Sequence, residues 1–364
     1  MRVLVLGCGE MGEEAIKDLY AFGRFKEIWV ATRHASKAQS LLSSLLGRRV
    51  KKRAVELDVS HRDSLVGLMK ASDVVVNCVG PNYKYEVLIA EAAIAARVHL
   101  VDINDDYETT FRMLDLDQKA RNAGVLVVLG LGASPGINNI FARAAVDQLD
   151  RVEEVHTSWV MSGADPGVLA LSCHLLHSLS GKALTYRDGA FVEVESFVDG
   201  EETVEFPEPV GPQKVFHVGH PEPITLSRCF PEARIVTDKA TFIPASLNHL
   251  IRRLGSEARE KGEVDEAALR FHRTCKALRD VRKEGALRTA VKGKKGKRPT
   301  TIIYASSGRI AQGTGIAASI GAQMLIEGGV EGKGVRTPEA CVDWRRFLKT
   351  IVSRRIGRLE IREV

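Results

Sequence analysis

The 364 residues carry a formal net charge of +6, a sequence pI near 9.0 and 45% hydrophobic side chains. That is enough apolar material for two packed domains. It excludes a disordered or fibrous chain and suits an anionic cofactor or substrate without being a nucleic-acid signature. Six scattered cysteines with no Cys-x-x-Cys pair argue against a disulfide frame or a zinc cluster, and no leader precedes Arg2 and no apolar run is of bilayer length, so the expectation is a reduced, cytoplasmic protein with no membrane or nucleic-acid partner and no metal.

The chain opens with Val3, Leu4, Val5 and Leu6, a short apolar run suited to a strand buried on both faces of a parallel sheet. Gly7, Gly9 and Gly12 follow in G-x-G-x-x-G spacing, with Glu10 and Met11 between the last two. The first glycine permits a tight turn, the second admits a pyrophosphate to the backbone, and the third lets the next helix approach the strand. That helix directs free N–H groups and the positive end of its dipole toward the phosphates. The pattern predicts a helix over 14–22 ended by Gly23, then a second strand over 28–31.

An NAD-binding chain ends its second strand in a carboxylate that holds the ribose hydroxyls. Here the end reads Thr32, Arg33, His34, Ala35, Ser36, Lys37. A guanidinium with Ser36 and Lys37 beside it suits a 2′-phosphate, so NADP is preferred, with NAD possible. A third strand over 54–57 ends in Asp58-Val59, placed to meet the adenine or to cap the next segment.

A fourth strand over 73–79, closing in Val79, runs into Gly80-Pro81-Asn82 at a strand's carboxyl end, where open α/β sheets bind ligands. Tyr83, Lys84 and Tyr85 open a helix to about residue 96. A fifth strand over 99–101 ends in Asp102, a helix spans roughly 113–123, and a sixth strand covers 125–129. Strand and helix alternate throughout, predicting an α/β, doubly wound Rossmann sheet. The loop from Gly130 to Asn139 carries Ser134 and Asn138 ahead of a helix over 137–149.

Beyond residue 152 the pattern changes to strands parted by turns, predicting a mixed α/β domain. Strand patterns cover 155–160 and 214–218, and helical ones 168–179, 247–254 and 267–281. Asp188-Gly189 between extended runs predicts a hairpin of 184–187 with 190–194. Extended runs at 287–291 and 300–304 flank a cationic stretch, residues 293–298, which reads as a solvated hairpin tip because no aromatics interleave it. A small-residue helix over 313–327 and another from Thr337-Pro338-Glu339 close the pattern. The expected division is 1–132 for the nucleotide domain, 133–312 for the substrate and dimerisation domain, and 313–364 as a return onto the first.

The segments GCGEMG, VVVNCVGP, VHLVDIND, GLGASPGINN, YRDGAFVEV, GHPEPITLSR and GIAASIGAQMLIEGGVEGKGVRTPE occur in one order along nearly the whole chain. In them the sequence resembles the saccharopine dehydrogenase-like family. The resemblance implies a Rossmann domain with an inserted mixed α/β domain, homodimerisation, and reversible hydride transfer between a nicotinamide and a C–N bond of an amino-acid substrate of saccharopine or lysine type. Two positions depart from the saccharopine reductase pattern: Ser134 stands where an Asp precedes Pro-Gly, and Trp159-Val160-Met161-Ser162-Gly163 replaces a Tyr-Cys-Gly-Gly stretch.

Amine oxidation needs alignment and a proton acceptor. Asp102, Tyr83 and Lys84 are the candidate catalytic residues, each with a plainer reading as a helix-capping or first-turn residue. An amino-acid carboxylate calls for a cation, and Arg228 is the first choice, ahead of Lys239 and Arg309. Asn138 and Ser134 complete the candidate substrate set; His220 reads as a turn residue. Reduction of a C=C or C=O bond, and nucleotide sensing without turnover, stay open as alternatives.

Overall fold

The computed structural model describes residues 1–165 and 169–364, which form two compact units. The first comprises Met1–Gly132 with Ala311–Ile351; the second comprises Ala133–Ile310 with Val352–Val364.

In the first unit, β1 (Arg2–Leu6), β2 (Glu27–Thr32), β3 (Lys51–Glu56), β4 (Val74–Asn77), β5 (His99–Asp102) and β6 (Leu126–Val128) make one parallel sheet in the order 3-2-1-4-5-6, extended beyond β6 by a strand at Gly334–Arg336. This is the doubly wound order the alternation predicts. Val3, Leu4, Val5 and Leu6 are fully buried, as strands covered by helices on both faces must be.

The first helix, Glu10–Phe22, begins four residues before the expected start, directly on the glycine turn. The helix expected over 113–123 is two, Tyr107–Leu114 and Asp117–Ala123. The first starts early because the buried Asp106 carboxylate accepts the Thr109 N–H at 2.7 Å, an N-cap the apolar pattern does not reveal.

The helix Ile310–Ile326 lies against the first helix. A Cβ at Gly315 would stand 2.2 Å from the Met11 carbonyl, so the small residues there permit close backbone approach. Buried Asp18 accepts from Ser319 Oγ at 2.7 Å and Gln323 Nε2 at 3.0 Å across the same seam.

In the second unit the strands are β7 (Arg151–Ser162), β8 (Lys182–Arg187), β9 (Ala190–Glu195), β10 (Glu202–Glu205), β11 (Pro212–His217), β12 (Ile235–Ile243), β13 (Gly285–Lys295) and β14 (Arg298–Gly308). They form a mixed sheet in the order 10-11-12-7-13-14, closed by the strand Gly357–Glu363 on β14, with the β8–β9 hairpin attached to β12. The cationic stretch is the tip of the β13–β14 hairpin, where Lys295 pairs with Arg298. The helix expected from Val168 runs Leu169–Ser178, and Val168 itself lies outside the described residues.

The central strand β12, parallel to β7, was not expected, because Asp238 and Lys239 interrupt its apolar run. Residues 352–364 join this unit and not the first, because Gly357–Glu363 completes the sheet edge.

Candidate functional site

The carboxyl edge of the first sheet carries the glycine turn. Gly7 has φ +89°, and a Cβ there would lie 2.6 Å from the Cys78 carbonyl; one at Gly12 would lie 2.4 Å from Gly7 O. Both positions are sterically closed to any other residue. At Gly9 an added Cβ meets nothing within 4 Å. Gly9 is the N-cap of the first helix and makes no side-chain cap, with Glu10 and Met11 in the first turn. A closed, tightly packed turn with one open point at a helix N-terminus fits a dinucleotide's diphosphate.

Beside it, at the end of β2, Thr32 is half-buried and Arg33, Ser36 and Lys37 are exposed. Asp58, at the end of β3, has its carboxyl pulled down chiefly by Ser60, whose N–H donates at 2.9 Å, with smaller help from His61 and Arg33. Burial pushes the Cys8 thiol up, against a smaller pull from Lys37. Arg33 and Lys37 therefore act on groups of the same edge. Val59 is buried in the core below it.

After β4, Val79, Gly80 and Pro81 are half-buried, and the Val79 N–H donates to Asn77 Oδ1 at 3.1 Å. Tyr83 and Lys84 occupy the first turn of the helix Asn82–Ala96, with Lys84 Nζ 5.6 Å from the Tyr83 ring centroid. Asp102 is 0% exposed, and its Oδ1 accepts the N–H groups of Asn104 at 2.8 Å and Gly130 at 3.1 Å. Burial pushes its carboxyl up to about 6. It is a strut of the sheet edge with no face open to a substrate.

Within the second unit a buried polar centre gathers residues from two helices, three strands and the loops beside them. Ser134 Oγ donates to Glu222 Oε1, and Asn138 Nδ2 donates to Ser134 Oγ at 3.0 Å. Thr289 Oγ1 donates to Asn138 Oδ1 at 3.1 Å. The other Glu222 oxygen meets His220 Nδ1 at 2.8 Å, and the His220 ring lies 5.1 Å from that of Trp159. Asp238 accepts from Thr157 Oγ1 at 2.6 Å and Trp159 Nε1 at 3.0 Å. Thr157 sits between Asp238 and Thr289 in the register of β12, β7 and β13, so the three share one face. Burial, then the Glu222 charge, push the Asp238 carboxyl well up, while His220 pulls it down.

His220, Glu222 and Asp238 present ligand-type atoms within 4.8 Å of one another. Each carboxylate oxygen of Glu222 and Asp238, however, is already engaged by a side-chain partner: Ser134, His220, Thr157 or Trp159. Of the substrate candidates, Ser134 is half-buried, Asn138 fully buried and Arg228 exposed on the helix Glu222–Cys229. Lys239 pairs with Glu202 at 3.1 Å and Arg309 with Asp165 at 3.0 Å. The sequence reading missed Glu222 and Asp238 and marked Trp159 only as part of a departure from the saccharopine reductase pattern. His220-x-Glu222 was visible in GHPEP, but its partners stand on β7 and β12, and β12 was not recognised.

A parallel sheet in this order, with this glycine turn, has the architecture of a dinucleotide-binding domain. Residues 3–128 match the saccharopine dehydrogenase NADP binding domain family. Carboxyaminopropylagmatine dehydrogenase of Synechocystis sp. is 22% identical over 374 residues, covering 92% of this chain and 91% of that protein. The NADP(+), L-glutamate-forming saccharopine dehydrogenase of Schizosaccharomyces pombe is 26% identical over 156 residues, 42% of this chain and 31% of its own length. The apo structure of the L-Glu-forming saccharopine dehydrogenase of Saccharomyces cerevisiae has a TM-score of 0.70 at 15% identity, covering 100% of this chain and 99% of that one, and shows the shared fold. The family match thus covers the first domain, and the chain as a whole shares the fold of the Saccharomyces cerevisiae enzyme. No described helix is long and apolar enough to cross a membrane.

Proposed function

We propose that the protein is an NADP-linked dehydrogenase or reductase acting on the C–N bond of an amino acid carrying a secondary or primary amine, of saccharopine or lysine type. The observation that carries the reading is the open point at Gly9 between two closed glycines, with Arg33, Ser36 and Lys37 exposed beside it. Gly7, Gly9, Glu10, Met11 and Gly12 would hold the diphosphate through backbone N–H groups. Arg33, Ser36 and Lys37 would hold a 2′-phosphate, and Thr32, Asp58 and Val59 would border the adenosine. Val79, Gly80 and Pro81 would border the nicotinamide. When bound, NADP supplies the hydride acceptor or donor.

Oxidation of the substrate amine to an imine leaves a proton for the protein to take up. Tyr83 and Lys84, in the first turn beyond Gly80-Pro81, are the proposed proton carriers. Arg228, exposed and cationic, is proposed to hold the substrate carboxylate, with Ser134 fixing the loop ahead of Asn138. Asp102 is given no chemical step, because it is enclosed and its Oδ1 already holds two backbone N–H groups. A homodimer in a reducing, cytoplasmic compartment suits the six free cysteines, and a place in lysine metabolism follows from the substrate type.

The test is a screen at the NADPH absorbance band with both cofactors, over saccharopine, lysine, related diamines and carboxyalkyl amines. Turnover with an amine and NADP⁺, or reductive coupling of an amine to an oxo acid with NADPH, is expected. Tight NADP⁺ binding without turnover across that set would overturn the enzymatic reading in favour of a sensor; failure to bind either dinucleotide would overturn both.

A further inference from the structure

Two carboxyl groups meet inside the first unit, and neither is needed by the chemistry above. Glu86, on the helix Asn82–Ala96, is 1% exposed; Asp102, at the end of β5, is 0% exposed. The three hydrogen bonds their oxygens accept from ordinary donors fall on two atoms. Glu86 Oε2 accepts from Asn77 Nδ2 at 2.9 Å, and Asp102 Oδ1 accepts the two backbone N–H groups of Asn104 and Gly130. Glu86 Oε1 and Asp102 Oδ2 are buried with no donor, and the two side chains are brought together by Asn77, which donates to Glu86 and stands opposite Asp102 in the β4–β5 register.

Two carboxylate oxygens can bond only through a hydrogen, because an ionised carboxylate accepts and does not donate. Two ionised carboxylates in contact and out of water would also be strongly unfavourable. We propose that Glu86 and Asp102 share one proton, and that this acid–carboxylate pair is the strut that positions the loops receiving the nicotinamide end of the cofactor.

The reach of the strut supports that role. Through Asn77 it fixes Val79 ahead of Gly80-Pro81; through Asp102 it fixes Asn104 beyond β5 and Gly130 beyond β6. Three neighbouring strand ends on the ligand-binding edge of the sheet are thereby tied to one proton. Asn82 Nδ2 also donates to Asp105 Oδ1 at 2.7 Å, joining the first two loops a second time. Burial, followed by the Asp102 charge, drives Glu86 well above the carboxylate range, with Asp105 adding to it, so Glu86 is the member that keeps the proton. Cys78 also faces the pair from the end of β4. Glu86 is a positioning residue, acting through Asp102 and Asn77.

The proposal rests on the dinucleotide reading only for its second half, and the test separates the two. The first measurement is the infrared difference spectrum of wild type against Glu86→Gln at neutral pH. A neutral carboxylic-acid carbonyl band present in wild type and lost in the variant is expected; buried Asp238 is common to both proteins and cancels. Absence of that band overturns the shared proton whether or not any dinucleotide binds.

The second measurement is the dissociation constant of NADPH. Glu86→Gln supplies an amide donor to Asp102, and Asp102→Asn supplies one to an ionised Glu86, so each single variant should bind within about threefold of wild type. The double variant sets donor against donor and should bind about tenfold or more weaker than the product of the single effects. Additive effects would overturn the positioning role. If wild type binds neither dinucleotide, the positioning role falls with the cofactor reading, while the infrared band still decides the proton.

Discussion

Substitution of Gly9 by alanine separates the glycine turn's structural role from its proposed ligand role. The position has φ −74° and ψ −167°, a conformation alanine adopts freely, and its Cβ would meet nothing within 4 Å. Losing glycine at an N-cap costs a few tenths of a kcal/mol or more, but the reduced freedom of the unfolded chain offsets about 0.4–1 kcal/mol, so net stability should change by roughly 0.5 kcal/mol or less. A diphosphate lying against the Gly9 backbone would meet the new methyl. Overpacking costs about 1–3 kcal/mol, which is roughly 5- to 150-fold in affinity. The control is Gly12→Ala, whose methyl would stand 2.4 Å from the Gly7 carbonyl, a backbone atom with little freedom to yield. That variant should lose stability even without ligand.

The assay is thermal unfolding with and without NADPH. At a concentration 100 times the wild-type dissociation constant, ligand stabilises the wild type by about 2.7 kcal/mol, and about 0.9–2.4 kcal/mol of that shift should vanish in Gly9→Ala while its unliganded transition moves little. A Gly9→Ala protein that keeps the full NADPH shift would refute the assignment of the diphosphate to this turn. A Gly12→Ala protein as stable as wild type would refute the steric argument.

Arg33→Asp, at an exposed position, should leave the melting temperature unaltered and move selectivity from NADP toward NAD; unchanged relative affinity for the two dinucleotides would remove the reason for assigning the 2′-phosphate there. Ser134→Ala strips Glu222 Oε1 of its donor in a buried centre and should cost about 1–3 kcal/mol in chemical denaturation, whereas a loss near zero would mean that water replaces the hydroxyl. The His217 imidazole is pushed down to about 4, first by burial and then by the Lys239 charge. Folded protein thus binds fewer protons than unfolded, so this stability is complete above about pH 6.5 and is lost as pH falls toward 4. Denaturation midpoints across that window should fall less steeply in His217→Gln, and parallel curves would exclude His217 as the source.

The first sheet could be read because its determinants are local. Four apolar residues, three spaced glycines and Gly23 suffice for β1, the turn and the first helix, and the apolar runs at β4 and β6 are as plain. The polar centre of the second unit was hidden for the converse reason. Asp238 and Thr157 are 81 residues apart and become neighbours only through a parallel pairing of two strands, one of which looks polar because it carries a buried Asp and a Lys paired to Glu202. The sequence marks Asp102 as a candidate catalytic carboxylate at a strand end, but its enclosure and its place beside Glu86 depend on how the helix Asn82–Ala96 lies on the sheet. Sequence spacing marks a residue as exceptional; enclosure decides whether it can meet a ligand.

The return of residues 311–351 to the first unit bears on how the protein is made. A ribosome that has synthesised the nucleotide-binding segment has not yet supplied Gly334–Arg336 to flank β6, nor Gly315 to seat on the Met11 turn. Until some 200 further residues emerge, the nascent sheet keeps a bare border and an uncovered helix, an invitation to strand addition by other chains. Truncation after residue 132 should therefore yield an aggregating fragment, and supplying residues 311–351 on a separate peptide should restore its solubility.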